Sequence, residues 1–166
     1  MKKVFVDGYN VINSWKELKD LPLSAARDQL VEYMINYASF YDVSISVVFD
    51  AHRVSGRSQH KELKAKVEVV YTKDSETADS YIEREVDGLG RKIEVQVVTS
   101  DNLEQQIIFG RGAQRISSKE FRVSYFKAEE QIRKRTENLS YQGSLKLSDL
   151  VDEESRKKLE KMRRNG

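Results

Sequence analysis

The chain has 166 residues, of which 39% are apolar and none is cysteine, so disulfides, thiolate nucleophiles and cysteine–zinc sites are excluded. It contains no run of about twenty apolar residues, which excludes a transmembrane helix. The short apolar run before Asp7 is too brief for a secretory signal. We therefore expect a cytoplasmic protein built on one compact α/β domain.

The charge is distributed unevenly along the chain, although the net charge is only +2. Residues 1–110 carry 14 basic and 18 acidic side chains, whereas residues 111–166 carry 15 basic and 9 acidic ones. This asymmetry is compatible with a cation-binding site beside a phosphate-binding surface. A solvated helical surface rich in Lys and Glu would produce the same counts, and charge alone leaves that alternative open.

The first half of the chain predicts two strands and one helix. Residues 3–6 form a short buried strand that ends at Asp7. Ser24 is a suitable N-cap for a helix of about seventeen residues, in which apolar side chains recur at helical spacing. The β-branched run 43–49 predicts a second strand that stops at Asp50, and the polar residues 53–59 predict a loop.

The second half continues the alternation of strands and helices. Residues 67–71 and 93–98 predict a third and a fourth strand, with a helix between them from about residue 76 to 87. Residues 102–109 predict a short helix, and Ser117 or Ser118 caps a long helix to about residue 138. Such alternation predicts a mostly parallel sheet flanked by helices.

The C-terminal part of the chain has a different pattern. We expect an ordered domain over residues 1–138 and a polar, basic extension over residues 139–166 that is partly helical. Residues 140–148 are polar and predict a loose segment. Residues 150–164 predict a charged terminal helix, or a segment that becomes helical only when bound.

Three predicted strands are followed by an aspartate: Asp7, Asp50 and Asp101. Because the carboxyl ends of parallel strands line one edge of a sheet, and ligands bind in the crevice there, these carboxylates are expected to converge. Aspartate also starts turns and caps helices, which is the structural alternative for each of them.

The predicted helix after the third strand adds a fourth acid. Glu76, Asp79 and Glu83 share one helix face, and Asp79 borders the apolar stripe of that helix. Gathered carboxylates repel one another unless a cation joins them, and oxygen ligands favour Mg²⁺ or Mn²⁺ over Zn²⁺. The chain contains no P-loop, HExxH or GxSxG motif as a rival site. His52 is interpreted as a loop residue or substrate contact rather than a ligand.

Four segments together resemble a known family. These are VDGYN at residues 6–10, FDAH at 49–52, ETADSYIE at 76–83 and TSD at 99–101. In this order they resemble the NYN domains, a branch of the PIN-like nucleases, and look most like the bacterial YacP family over at least residues 3–137. The resemblance implies a PIN-like three-layer fold and an endonuclease that cuts mRNA in the ribosomal A site. It also implies 5′-phosphate and 3′-hydroxyl products.

The resemblance carries roles over to individual residues. It implies that Asp7, Asp79 and Asp101 bind one or two Mg²⁺ or Mn²⁺ ions, with Asp50 in support. Asn10 matches the asparagine of the signature and would hold a metal-bound water or the scissile phosphate, or else cap the following helix. Asn102 and Glu104 are both candidates for a further ligand.

Basic side chains outside the acidic cluster are candidates for RNA binding. They are Arg27, Arg53, Arg57, Arg133, Lys134 and Arg135. Tyr9 and Trp15 are aromatic residues that could stack on bases or pack in the core. The expected partners are mRNA and the ribosome, without a membrane, and the sequence does not indicate an oligomeric state. Two other functions stay open: a catalytically silent RNA- or ribosome-binding module, and a phosphatase acting on small phosphate esters.

Overall fold

The structure, a computed structural model, describes residues 1–51, 59–100 and 112–164, with the backbone alone for helical residues 144–156 and 159. Strands and helices alternate along most of the described chain. In chain order they are β1 (Lys2–Asp7), α1 (Gly8–Ser14), α2 (Lys16–Lys19), α3 (Leu23–Tyr41), β2 (Ser44–Phe49), β3 (His60–Lys64), β4 (Val67–Tyr71), α4 (Ala78–Leu89), β5 (Glu94–Val98), β6 (Gln114–Ile116) and α5 (Ser118–Arg164).

The strands form one six-stranded sheet in the order β3-β4-β2-β1-β5-β6. Every pair is parallel except β3 with β4, which is antiparallel. The carboxyl ends of β1, β2, β4 and β5 therefore lie at one edge of the sheet. The predicted fold class, a mostly parallel sheet flanked by helices, is confirmed.

Strand β1 lies at the point where the direction of chain winding reverses. Its neighbours are β2 on one side and β5 on the other, and both pairings are parallel. Connections that leave in opposite directions open a crevice outside the carboxyl ends of the two central strands, where α/β proteins bind their ligands. The sheet topology thus makes the end of β1 the first place to look for a functional site.

The core has two parts because side chains alternate between the faces of the sheet. One face packs against α1, α3 and the start of α5, through residues that include Val4, Val6 and Leu30. The other face packs against α4, through residues that include Phe5 and Ile82. Burial on both faces explains why the central strands are almost continuously apolar.

A buried tryptophan joins the first helix to the last. Trp15 is fully buried, and its indole Nε1 donates a hydrogen bond to the carbonyl oxygen of Ser118 at 2.8 Å. Its ring contacts Tyr33, Phe121 and Tyr125 at centroid distances of 5.8–6.1 Å. These contacts fix the start of α5 beside α1, and both helices begin near the carboxyl edge of the sheet.

Two compact units can be distinguished, Met1–Ala128 and Glu129–Gly166. The second unit is helical, and its described side chains are exposed. The prediction of a loose segment at residues 140–148 is wrong, because α5 continues through these residues to Arg164. The predicted helix at residues 102–109 lies outside the described residues. In the described ranges, no helix is long and apolar enough to cross a bilayer.

Candidate active site

Asp7 is both the last residue of β1 and the N-cap of α1. Its Oδ1 accepts a hydrogen bond from the backbone N–H of Asn10 at 3.4 Å, and α1 begins at Gly8. A carboxylate in this position satisfies one of the unpaired N–H groups of the first helical turn. The preceding residue, Val6, is fully buried, and the Asp7 side chain is half-buried at the carboxyl edge.

Gly8 is required by the close approach of α1 to the end of β2. A Cβ atom at this position would lie 2.3 and 2.5 Å from the nearest ring carbons of Phe49. Phe49 is fully buried, and its ring contacts those of Tyr9 and Tyr71. The glycine therefore allows the chain after Asp7 to pass directly over the residue that precedes Asp50.

Electrostatic interactions show that three of the predicted acids come together. The pKa of Asp7 is raised to about 7, first by burial and then by the negative charge of Asp79. The hydrogen bond from the backbone of Asn10 opposes this rise, whereas a side-chain hydrogen bond with Asp79 and the charge of Asp50 add to it. Asp7 is thus the centre of an acidic cluster, defined here as Asp7, Asp50 and Asp79.

Helix α4 presents Asp79 from its first turn. Thr77 caps the helix, since its side chain accepts a hydrogen bond from the backbone N–H of Ser80 at 3.2 Å. Ile82 and Val86, three and seven residues after Asp79, lie on the same side of the helix and pack against the sheet, and Asp79 is half-buried at the start of this side. The other two acids of the predicted face are in different surroundings. Glu76 forms an ion pair with Arg84 at 2.8 Å, and Glu83 is exposed.

Asn10 connects three elements at the same edge. Its Oδ1 accepts one hydrogen bond from the backbone N–H of Ser100 and one from the hydroxyl of Ser118, both at 2.8 Å. These bonds join α1 to the end of β5 and to the start of α5. Ser100 directly precedes Asp101, which lies outside the described residues. The Asn10 side chain therefore holds the chain close to a predicted ligand.

Thr72 is a buried residue of this edge that sequence reasoning missed. It follows β4, is 0% exposed, and its hydroxyl donates to the carbonyl oxygen of Glu76 at 2.7 Å. The same hydroxyl accepts a hydrogen bond from the backbone N–H of Ala51 at 3.0 Å. Thr72 follows β4 just as Asp7, Asp50 and Asp101 follow their predicted strands. This shared position in the sequence could have identified Thr72 as a residue of the same edge.

The acidic cluster has the chemistry of a site for a divalent cation. Carboxylate oxygens are hard ligands that suit Mg²⁺ or Mn²⁺, and a cation would relieve the repulsion that raises the pKa of Asp7. Within the described ranges, no three acidic or histidine side chains are gathered tightly enough to hold a metal by themselves. Asp101, Asn102 and Glu104, the remaining candidates, fall outside these ranges. The residues present therefore fit a cation in their chemistry.

The predicted RNA-binding residues are distributed over both units. Arg27 is half-buried on α3, and its Nη1 donates to the hydroxyl of Tyr9 at 3.2 Å. Tyr9 and Trp15 are buried in the core, so stacking on bases is the wrong interpretation for both. In the second unit, Arg133, Lys134 and Arg135 are exposed. His52, Arg53 and Arg57 belong to a stretch that is not described.

Comparisons with known proteins show which family this chain resembles. The YacP-like NYN domain, as a family, matches residues 4–164. The uncharacterized protein YacP of Bacillus subtilis (strain 168) is 39% identical over 171 residues, which is 99% of this chain and 98% of that protein. The crystal structure of Rae1 (YacP) from Bacillus subtilis superposes with a TM-score of 0.75 at 39% identity, covering 99% of this chain and 95% of that one.

A point mutant of the same Bacillus protein superposes with a TM-score of 0.74 at 38% identity, with 84% of each chain covered. NYN domains are PIN-like nucleases, which typically use divalent metal ions and act on RNA. The chain therefore belongs to the YacP-like NYN domain family, a branch of the PIN-like nucleases.

Proposed function

We propose that the protein is a metal-dependent endoribonuclease that cuts mRNA on the ribosome, in the A site. The observation that carries this proposal is the convergence of Asp50 and Asp79 on Asp7, where their charges help to raise the pKa of Asp7 to about 7. Carboxylates held together at the carboxyl edge of a parallel sheet are disfavoured without a cation. An arrangement of this kind favours a catalytic role over a purely structural one.

In this proposal Asp7, Asp79 and Asp101 hold one or two Mg²⁺ or Mn²⁺ ions, and Asp50 supports them. Such ions supply an activated water and stabilise negative charge on a phosphate that is under attack. Asp7 remains oriented by its hydrogen bond to the start of α1. Asn10 acts by fixing Ser100, and through it the neighbouring Asp101, rather than by contacting substrate with its amide oxygen, which already accepts two hydrogen bonds.

Arginine and lysine side chains would bind the RNA backbone. We assign Arg27 a phosphate-binding role because its guanidinium is oriented by the hydroxyl of Tyr9, two residues from Asp7. Arg133, Lys134 and Arg135, together with Arg53 and Arg57, would add sequence-independent attraction. Presentation of the substrate by the ribosome is supported by the family resemblance and by the basic second unit, whose described side chains are exposed. We expect this part of the chain to contact the ribosome.

The proposal can be tested with purified protein and Mn²⁺ on three substrates: single-stranded RNA, translating ribosomes and a phosphomonoester. We expect end-mapping to show cuts in mRNA at the A site, which disappear with a chelator. The double variant Asp7→Asn with Asp101→Asn should abolish cleavage. Asp20→Asn, which removes an exposed acid at the end of α2, is the matched control and should cut like the wild type.

Each alternative result identifies a different function. Unchanged cleavage of ribosome-bound mRNA by the double variant would disprove the assigned site. Ribosome binding without cleavage by the wild type under every condition would indicate a silent module. Hydrolysis of the monoester alone would indicate a phosphatase. Thermal unfolding with added Mn²⁺ gives a readout independent of activity, since a cation bound at the cluster should stabilise the wild type and not Asp7→Asn.

A further inference from the structure

The hydroxyl of Thr72 makes two hydrogen bonds in addition to the packing contacts of its side chain. Its side chain is completely buried just beyond the end of β4. A buried hydroxyl is costly unless it is hydrogen-bonded. Here both its donor and its acceptor functions are used, and both go to backbone atoms at the carboxyl edge. This position therefore requires a hydroxyl group for these hydrogen bonds as well as a side chain of the right volume.

The two partners of the hydroxyl belong to the segments that carry the outer acids. Ala51, whose N–H donates to Thr72, directly follows Asp50. Glu76, whose carbonyl oxygen accepts from Thr72, is three residues before Asp79. The backbone N–H of Thr72 also donates to the carbonyl oxygen of Phe49 at 3.1 Å. One residue thus binds the chain on both sides of Asp50 and the turn that leads to α4.

A restraint of this kind is needed because the three carboxylates repel one another. Asp50 and Asp79 both act unfavourably on the charged form of Asp7. Asp79 is carried on a helix that begins after a turn, and Asp50 on the chain that leaves β2. A hydrogen-bonded link between these segments limits how far the two acids can move apart. The Thr72 hydroxyl provides a direct link from one segment to the other.

We propose that Thr72 is a positioning residue of the nuclease site, whose hydroxyl sets the spacing of Asp50 and Asp79 around Asp7. The inference rests on the proposed function, because that function gives the spacing its catalytic meaning. Small displacements of catalytic groups cost about a hundredfold in rate when they reach about 1 Å. The effect should fall on turnover, since the side chain of Thr72 is completely buried and is not accessible to a substrate.

The test compares Thr72→Val, which keeps the shape but removes the hydroxyl, with Thr72→Ser, which keeps the hydroxyl. Ser46→Ala removes another buried hydroxyl, in the middle of β2, and is the matched control. With Mn²⁺ and RNA, kcat of Thr72→Val should fall by about tenfold or more, with KM within about twofold. Thr72→Ser should restore most of kcat, and Ser46→Ala should have the wild-type kcat below its unfolding temperature.

Amide hydrogen exchange gives a readout that does not depend on catalysis. The N–H of Ala51 should exchange faster in Thr72→Val than in the wild type, Thr72→Ser or Ser46→Ala, because only the first loses its acceptor. If Thr72→Val does not fold, Thr72→Ala is measured in its place.

The outcomes separate the two proposals. Wild-type kcat in Thr72→Val, or unchanged exchange at Ala51, overturns the positioning role and leaves the proposed function intact. Equal losses of kcat in Thr72→Val and Ser46→Ala would also overturn it, since the effect would then be one of general stability. If the wild type cuts no RNA, the proposed function fails. The positioning role is then decided by exchange at Ala51 and by a weaker affinity of Thr72→Val for Mn²⁺.

Discussion

Asp7 combines two roles that respond differently to substitution: its carboxyl group caps α1, and its charge meets two other carboxylates. Asparagine preserves the cap, because its side-chain oxygen still accepts a hydrogen bond from the first helical turn. It removes the charge, and with it the repulsion from Asp50 and Asp79. The two roles can therefore be measured separately by a single change.

We predict that Asp7 makes the metal-free protein less stable as the pH rises. Its pKa in the folded state is about 7, above the ordinary value of 3.8, so the folded protein binds the proton more tightly than the unfolded chain does. The contribution of Asp7 to the free energy of unfolding is then greatest below about pH 4. It decreases between about pH 4 and pH 7 and is lost above pH 7. The total loss is up to about 4 kcal/mol.

The measurement is urea unfolding at a series of pH values with a chelator present. Asp7→Asn should lack this part of the pH dependence and be more stable than the wild type at pH 8. Parallel stability–pH curves for the two proteins would contradict the raised pKa of Asp7.

Gly8→Ala is predicted to destabilise the protein although it changes none of the acidic residues. The added methyl group would overlap the ring of Phe49, which is fully buried in contact with two other aromatic rings. Overpacking of this kind costs about 1–3 kcal/mol. Chemical denaturation of Gly8→Ala, Phe49→Leu and the double variant measures the coupling. A smaller ring-free side chain at position 49 should recover part of the loss. Additive effects would show that the two residues do not meet.

At the scale of elements, Asn10 is expected to stabilise the junction of α1, β5 and α5. Asn10→Ala leaves the N–H of Ser100 and the hydroxyl of Ser118 without their acceptor, at a cost of about 2 kcal/mol or more. Asn10→Asp keeps an oxygen in place and should lose less. Asn13→Ala, at an exposed position of the same helix, is the control for helix propensity. Equal free energies of unfolding for Asn10→Ala and Asn13→Ala would disprove the junction.

The elements that the sequence predicts well are those with apolar runs. β1, β2, β4 and β5 were predicted to within two residues because central parallel strands are buried on both faces. β3 was not predicted, since His60–Lys64 is an exposed edge strand of mostly charged residues, and β6 has only three residues. The helical state of residues 140–148 was also missed, because their polar composition is typical of a loop.

The site was predictable in part for a related reason. Asp7 and Asp50 were found from their positions after strands, and Asp79 from its place on a helix face. The bond from Ala51 to Thr72 and the two bonds of Asn10 could not be derived in this way, because they join segments 21 to 108 residues apart in sequence. Only the folded chain shows which backbone groups a buried polar side chain reaches.

At the scale of the whole molecule, the uneven charge should be visible in the salt dependence of RNA binding. Replacing Arg133, Lys134 and Arg135 by Gln removes three exposed cations. If all three contact phosphates of single-stranded RNA, the slope of log Kd against log salt should fall by about 2. Filter binding at several salt concentrations measures it.

Lys16→Gln with Lys19→Gln, at exposed positions of α2, provides the control for total charge. An equal change of slope per removed charge in both sets would indicate general attraction, without a defined surface in the second unit.

Under the proposed function, the two roles of Asp7 have a consequence for how the activity could be lost. A chain that drifts away from catalysis keeps whatever its fold still requires, and at this position the fold requires a hydrogen-bond acceptor for the N–H of Asn10. Alanine at position 7 would leave this N–H without its acceptor, whereas asparagine would still accept the hydrogen bond. Descendants that no longer cut RNA but still fold are therefore expected to carry asparagine in place of Asp7. That single exchange would be a simple marker for telling silent relatives from active ones.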